Sequence, residues 1–493
     1  MNFISTRGAK ERVSAAEAIK TGLASDGGLF MPESFPTLTD GEINAMLSMS
    51  YEERAATVIS KFLTDYTYEE LLEDAKSAYA FEKFGVSPAP VTKLCNGMYI
   101  LELWHGPTCA FKDMALQIMP RLFTRALKKC GEEKCAMILV ATSGDTGKAA
   151  LEGYRDVPGT KIKVFYPVHG VSKVQKMQMQ TQEGDNVSVD AIEGNFDDAQ
   201  TGVKKIFSDP EMTKSLAEKN VFLSSANSIN WGRLVPQIVY YVSAYLDMVK
   251  SGEIKMGEKI DICVPTGNFG NIFAAFIAKK MGMPFEKFIC ASNLNNVLTD
   301  FLNTGVYDRN RSFYATVSPS MDILISSNLE RFIYTLFGTK VTAEYMSKLN
   351  SEGRYALSDD ELKAVKELFV GYYTSEEDTL RTIKDCYEKS NCLIDTHTAV
   401  AINAARSYMN DYKAERKILT ASTASPYKFA ADVYRAITGT SASGDVEALK
   451  ELSMLTGTSI PAPLAALLEK KIRFTNVIDK KDMAKSVESF SEN

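Results

Sequence analysis

The chain has 493 residues, 45% of them hydrophobic and 24% charged, with a formal net charge of −6, a composition that suits a soluble protein of two or three domains and argues against general nucleic-acid binding. No apolar run approaches the ~20 residues needed to cross a bilayer, and the opening "MNFISTRGAKERVS" lacks an apolar signal core, so neither membrane nor nucleic acid is an expected partner and the cytoplasm is the expected location. The eight cysteines form no C-x-x-C pair, and His105, His169 and His397 have no metal-ligand spacing, which points to reduced thiols and no metal site.

In chain order, the first 90 or so residues read as mainly helical. "SAAEAIKTGLA", "TDGEINAMLSMSYEERAATVISKFL" and "TYEELLEDAKSAYAFE" carry apolar residues at helical spacing. Thr67 is placed to cap the third, with Glu69 and Glu70 in its first turn. "ASDGGLFMPE" reads as a loop. After Pro90 the pattern becomes strand-then-helix: "MYILEL", "AMILVA", "KIKVFYP", "NVSVDAI", "NVFLSSA", "KIDICVP", "FEKFICAS" and, late, "RKILTAS" each precede a helical pattern. This alternation predicts parallel sheets flanked by helices. The stretch from about 340 to 390 reads as helical and charged.

Ligands of open α/β sheets bind beyond the carboxyl ends of the strands, so the strand-to-helix loops carry most weight. "VPTGNFGN" follows an apolar strand and opens a helix. Gly267 and Gly270 are expected to take positive φ, leaving free N–H groups to face an anion. An ordinary tight turn is the alternative, and the G-x-G-x-x-G dinucleotide pattern is absent. "ATSGDTGKAA" resembles a P-loop only superficially, because Ala149 stands where a magnesium-binding hydroxyl belongs. Its helix start, with Ser143 and Thr146, still suits a carboxylate or phosphate. "SSANSINWGR" gathers Ser228, Asn230 and Arg233, a reasonable anion set. "HGPTCAFKDMA" places Lys112 at a helix start, where the dipole gives a lysine nothing. A solvated lysine is the plain alternative. One lysine, two anion cups and a possible third match the needs of a phosphate-bearing aldehyde such as pyridoxal phosphate.

Together, "HGPTCAFKDMALQ", "TSGDTG", "NSINWGR", "PTGNFGN" and "STASPYKF" resemble the threonine synthase family, and the N-terminal extension with "SDGGLFMPE" resembles its longer bacterial and fungal form. The resemblance covers nearly the whole chain. It implies two open α/β domains with parallel sheets and the cofactor between them, plus the helical N-terminal region. The expected boundaries are 1–92 for that region, 93–135 with 225–493 for the large cofactor-binding domain, and 136–224 for the small one. It implies pyridoxal 5′-phosphate as cofactor and O-phospho-L-homoserine as substrate, converted with water to L-threonine and phosphate by a monomer or homodimer.

By the same resemblance Lys112 is the catalytic, cofactor-holding lysine. Gly267, Asn268, Phe269, Gly270 and Asn271 form the cofactor-phosphate loop, and Asp145 lies beside the cofactor's 3′-oxygen. Ser143, Gly144 and Thr146 receive the substrate carboxylate, and Ser228 and Arg233 the substrate phosphate. Thr423 faces the pyridine nitrogen, with Ser422 as the competing hydroxyl. A helix start without a partner anion, together with partial burial, is expected to keep Lys112 neutral. His105, His169 and His397 read as structural and Cys109 as packing, while Thr6 and Arg7 are expected to tuck toward the site. The rival readings are a serine or threonine dehydratase of the same fold and a non-catalytic phospho-ligand-binding protein. Arg233 argues against the first and Lys112 against the second.

Overall fold

The computed structural model describes residues 1–492 except Asn96 and Gly170. The N-terminal region builds helices Ala15–Thr21, Asp40–Met46, Tyr51–Ser60 and Tyr68–Ala78. The side chains of Ser14, Thr39, Ser50 and Thr67 each accept an N–H from the first turn, and Glu42, Glu53 and Glu70 close reciprocal capping boxes on the last three. The apolar faces of these helices bury Val58, Ile59, Leu71 and Ala75. Phe62, just beyond the third helix, meets the buried Trp231 at a centroid distance of 5.5 Å, so the region packs on the long helix Trp231–Lys250. It also holds two short antiparallel strands, Phe3–Ser5 and Phe30–Pro32. The second lies inside the stretch expected to be loop. Three residues are too few to show an alternating pattern.

Two sheets carry the rest. The six-stranded sheet runs in the order Phe369–Tyr373, Phe285–Ser292, Ile260–Pro265, Ile418–Ser422, Met98–Glu102 and Val91–Cys95. All its pairings are parallel except that of the two N-terminal strands. The five-stranded sheet runs Val477–Asp479, Val187–Glu193, Thr160–Pro167, Cys135–Ala141 and Val221–Ser224, parallel throughout. Central strands are covered on both faces, as Ile260–Pro265 is along its whole length, which accounts for their near-continuous apolar runs. The segment 340–390, expected to be helical throughout, contains the edge strand Phe369–Tyr373.

One boundary is corrected. The range 225–493 was assigned whole to the large domain, yet Val477–Asp479 pairs with Val187–Glu193 of the smaller sheet. The final helix, Met483–Glu492, buries Met483 and Val487 in that sheet's apolar cluster with Ile192 and Val203. The chain therefore returns to the smaller sheet after leaving the larger one. Because these strands run parallel within their sheets, the loops after Met98–Glu102, Cys135–Ala141, Val221–Ser224, Ile260–Pro265 and Ile418–Ser422 all leave from the same, carboxyl edge.

Candidate active site

Lys112 directly precedes the short helix Asp113–Leu116. The strand Ile418–Ser422 anchors its segment. The Phe111 N–H donates to the Thr423 carbonyl at 2.8 Å, and the Ser425 N–H donates to the Cys109 carbonyl at 3.0 Å. Cys109 holds φ 59°, a strained value for a non-glycine residue that this bracing sustains. The Lys112 ammonium stands 3.6 Å from Asp145, so the expectation of a lysine without an anion fails. The carboxylate is shared, however. Lys428 reaches its other oxygen at 2.6 Å, with no exposed side-chain surface, and also donates to the Thr108 carbonyl at 3.0 Å. Gln175 and Ser320 donate to Asp145 at 3.0 and 3.2 Å.

These charges set the proton affinities. Burial pushes the Lys112 amine below the ordinary lysine value; Asp145 opposes this, while Lys428 and Arg233 add to it. Burial alone would raise the Asp145 carboxyl, but Lys428 and Lys112 outweigh it and hold the group well below the carboxylate range. One carboxylate faces two ammonium groups, and the nearer takes the larger share. Lys112, the more distant of the two, keeps the lowered proton affinity that a nucleophilic lysine needs.

Asp145 opens the helix Asp145–Tyr154, preceded by Gly144 at φ 138° with no side-chain cap. A Cβ on Gly144 would come within 2.4 Å of the Gln175 side chain, so glycine is required there on two counts. Ser143 and Thr146 flank this helix start, half-buried.

The loop 264–271 forms a cup, though not as the glycines suggested. Gly267 and Gly270 have no positive φ; the left-handed residue is Phe269, at φ 61°. Its ring is clamped between Phe332 and Phe369, with centroids 5.5 and 5.6 Å away. Core burial therefore offsets the strained backbone. The glycines are needed for space: a Cβ on Gly267 would lie 3.0 Å from the Ser320 carbonyl, and one on Gly270 3.3 Å from the Asn328 amide. Phe269 provides no side-chain cap, so the first N–H groups of helix Gly270–Lys280 face outward from its start. Asn268 is exposed. The Asn271 side-chain oxygen accepts from Tyr240 at 2.8 Å and Tyr241 at 2.5 Å. Its amide nitrogen is buried without a partner among the described residues, so that donor and the backbone N–H both remain for an anion.

Arg233, on the first turn of Trp231–Lys250, is 3% exposed. It donates to the Ala226 carbonyl at 2.6 Å, and its Nε is buried without a hydrogen-bond partner among the described residues. Burial pushes its pKa down to about 10. Asn328 and Arg331 link this loop to the cup. Arg331 donates to the carbonyl of Ser228 at 3.4 Å, that of Ile229 at 2.6 Å and the Asn328 side chain at 2.5 Å. Glu330, beside it, accepts from Thr6 at 2.6 Å and from Arg7 at 2.7 Å, which ties the "STRG" segment to the same corner.

Ser422 and Thr423 separate clearly. The Ser422 hydroxyl is engaged by Trp104 at 3.0 Å and Thr398 at 2.9 Å. The Thr423 side chain makes no hydrogen bond among the described residues. His397 is held by Asp395 at 2.8 Å and accepts the Ser320 N–H at 3.1 Å, a scaffold role. His105 bonds Glu102 at 2.7 Å, a side chain rather than backbone. Sequence reading missed Lys428, Gln175, Ser320, Asn328 and Arg331. Lys428 sits inside the quoted "STASPYKF", where a lysine after a strand was the available signal.

Three family models match the chain: threonine synthase N terminus over residues 2–79, pyridoxal-phosphate dependent enzyme over 85–423, and threonine synthase, C-terminal over 398–490. Threonine synthase-like 1 of Homo sapiens is 42% identical over 88% of this chain, which spans 60% of that relative's length. Threonine synthase of Pseudomonas aeruginosa is 37% identical, with 96% and 95% of the two chains covered. Among solved structures, the PLP-bound threonine synthase from Brucella melitensis superposes with a TM-score of 0.87 at 34% identity, over 100% of both chains. The yeast threonine synthase gives 0.88 at 30% identity, over 99% of this chain and 98% of its own.

Proposed function

Because the chain belongs to the threonine synthase family of pyridoxal-phosphate dependent enzymes, we propose that it converts O-phospho-L-homoserine and water to L-threonine and phosphate, as a monomer or homodimer of the cytoplasm. The observation that carries this reading is Arg233: a buried guanidinium with an unsatisfied Nε, in a site whose lysine and glycine cup already account for a cofactor. No helix among the described residues is long and apolar enough to cross a membrane, and all eight cysteines are free, which supports a reducing compartment.

The residues present fit pyridoxal phosphate. Lys112 offers a buried amine of lowered pKa, and the Gly267–Gly270 cup admits no side chain without displacement and presents uncapped N–H groups. Thr423 leaves its hydroxyl to a ring nitrogen. When bound, the cofactor supplies an aldehyde and a ring that withdraws electrons from Cα. The protein supplies the rest. Lys112 would hold the aldehyde, and its free amine is the base placed to remove the Cα proton and move the protons at Cβ and Cγ. Arg233 and the Ser228 loop hold the substrate phosphate through its departure from Cγ, while Ser143, Gly144 and Thr146 orient the carboxylate. Thr423, a neutral group, would face the ring nitrogen and so would moderate the ring's electron withdrawal.

The test is direct. Purified protein loaded with pyridoxal phosphate should release threonine and inorganic phosphate from O-phospho-L-homoserine in equal amounts. Phosphate release with 2-oxobutanoate in place of threonine would reject this reading.

A further inference from the structure

The helix that begins at Asp145 has a cavity at its far end. Eight residues separate Asp145 from Gly153, roughly 12 Å of helix. There a cavity of about 330 Å³ is lined by Lys83, Pro107, Gln117, Arg121, Glu152 and Arg155, among others. It lies where the N-terminal region, the segment after Lys112 and the smaller sheet meet. Gly153 seals that junction: its Cβ position is 2.0 Å from the Leu116 carbonyl, so the two backbones touch.

Two donors just beneath the wall are unmatched. The Gln117 amide nitrogen and Arg121 Nε are buried without a partner among the described residues, and Gln117 is 4% exposed. The one deep carboxylate, Glu152, is already taken by Lys148 at 3.0 Å and Arg155 at 3.5 Å. Arg155 also meets Glu183 at 3.2 Å. The remaining carboxylate, Glu82, is exposed. Lys83 and Arg121 are the remaining cations; burial and the nearby Arg121 guanidinium push Lys83 below its ordinary value, against the more weakly felt carboxylates of Glu152 and Asp113. A guanidinium, an ammonium and an amide N–H on one concave wall are the donors that an oxyanion recruits. The volume exceeds that of an inorganic phosphate and suits one carrying a few carbons.

We propose that this cavity is a second binding site, distinct from that of Lys112, for a small phosphate-bearing anion held by Lys83, Arg121 and the Gln117 amide. The inference does not depend on the reaction proposed above.

Equilibrium dialysis of labelled inorganic phosphate against the pyridoxal-phosphate-loaded protein tests it. The wild type should bind at two sites per chain. Lys83→Met with Arg121→Met should lose one, its affinity falling at least tenfold, and keep the other. Arg233→Leu should do the reverse. Gln117→Leu, which keeps the charge, should weaken the cavity site severalfold and guards against misfolding of the double variant. An unchanged isotherm in both the double variant and Gln117→Leu would overturn the proposal, as would loss of all phosphate binding in Arg233→Leu alone. Loss confined to the Lys83 and Arg121 pair, with Arg233→Leu unaffected, would uphold this cavity while counting against the proposed substrate-phosphate site. In the Arg233→Leu background, competition by O-phospho-L-serine separates the sources. Displacement at lower concentration than inorganic phosphate identifies a phosphate ester, and equal potency identifies phosphate itself; either supports the site.

Discussion

Arg233→Leu should move affinity for substrate and stability of the protein in opposite directions. The guanidinium is 3% exposed, makes one short bond to the Ala226 carbonyl and has a buried, unpartnered Nε. Burial pushes its pKa down from the ordinary guanidinium value to about 10, which corresponds to roughly 3 kcal/mol of unfavourable desolvation. Losing the charged bond to Ala226 costs back about 1.5–3 kcal/mol. Leucine should therefore leave the cofactor-free protein as stable as wild type or up to about 1–2 kcal/mol more stable. Against a bound phosphate the sign reverses. Truncating one partner of a buried charge pair costs about 2–5 kcal/mol, or roughly 30- to several-thousand-fold in kcat/KM. The assay is kcat/KM for O-phospho-L-homoserine and for slow deamination of serine, together with urea unfolding of the cofactor-free forms. The first substrate should suffer the full loss and the second little. Equal losses on both, or a variant markedly less stable than wild type, would refute the reasoning and make Arg233 a scaffold residue.

Other outcomes follow from the same geometry. Lys428→Met removes the nearer partner of Asp145 and should cost about 3 kcal/mol in urea unfolding; adding Asp145→Asn should restore most of it, and equal instability of the two variants would show that the pair is not coupled. The same substitution should raise the pH midpoint for pyridoxal phosphate uptake by the cofactor-free protein, because Asp145 would then hold Lys112 protonated. Gly267→Ala should lower cofactor retention after dialysis about tenfold by pushing on the Ser320 carbonyl, 3.0 Å from the new Cβ, with Gly270→Ala milder; full visible absorbance in Gly267→Ala would place the cup elsewhere. Asp113 is raised from 3.8 to about 6, chiefly by burial, against bonds from Thr108. A raised carboxyl adds stability below its unfolded value that is lost as pH climbs through the folded one. Asp113 should thus contribute a fall in stability from about pH 4 to 6, and Asp113→Asn should lack that part of the wild-type slope.

The sequence exposed the parts of the site that are local in the chain. Lys112, the cup after Ile260–Pro265 and Arg233 each sit where a strand hands over to a helix, and the alternation that marks those junctions is visible in single segments. Lys428 and Asp145 were not legible as a pair, because 283 residues separate them and only the meeting of the two sheets' loops makes 2.6 Å of that distance. Asn328 and Arg331 were hidden for the same reason. Phe269 was misread because positive φ was assigned to the residues that tolerate it most easily. Two phenylalanine neighbours hold it there instead. Phe369–Tyr373 was lost to its flanks, since five residues between two charged helices carry too short a pattern to register. The return of Val477–Asp479 to the smaller sheet has no local signal, because pairing partner is a property of topology and not of composition.

The central claim is that Lys112 carries the cofactor while Lys428, more deeply buried nearby, neutralises Asp145. Borohydride reduction of the pyridoxal-phosphate-loaded protein, followed by proteolysis and mass spectrometry, decides between the two lysines. The account predicts one reduced pyridoxyl adduct per chain, on the peptide containing Lys112, and none in Lys112→Ala. An adduct on Lys428, or on Lys148 at the back of the same helix, would contradict it.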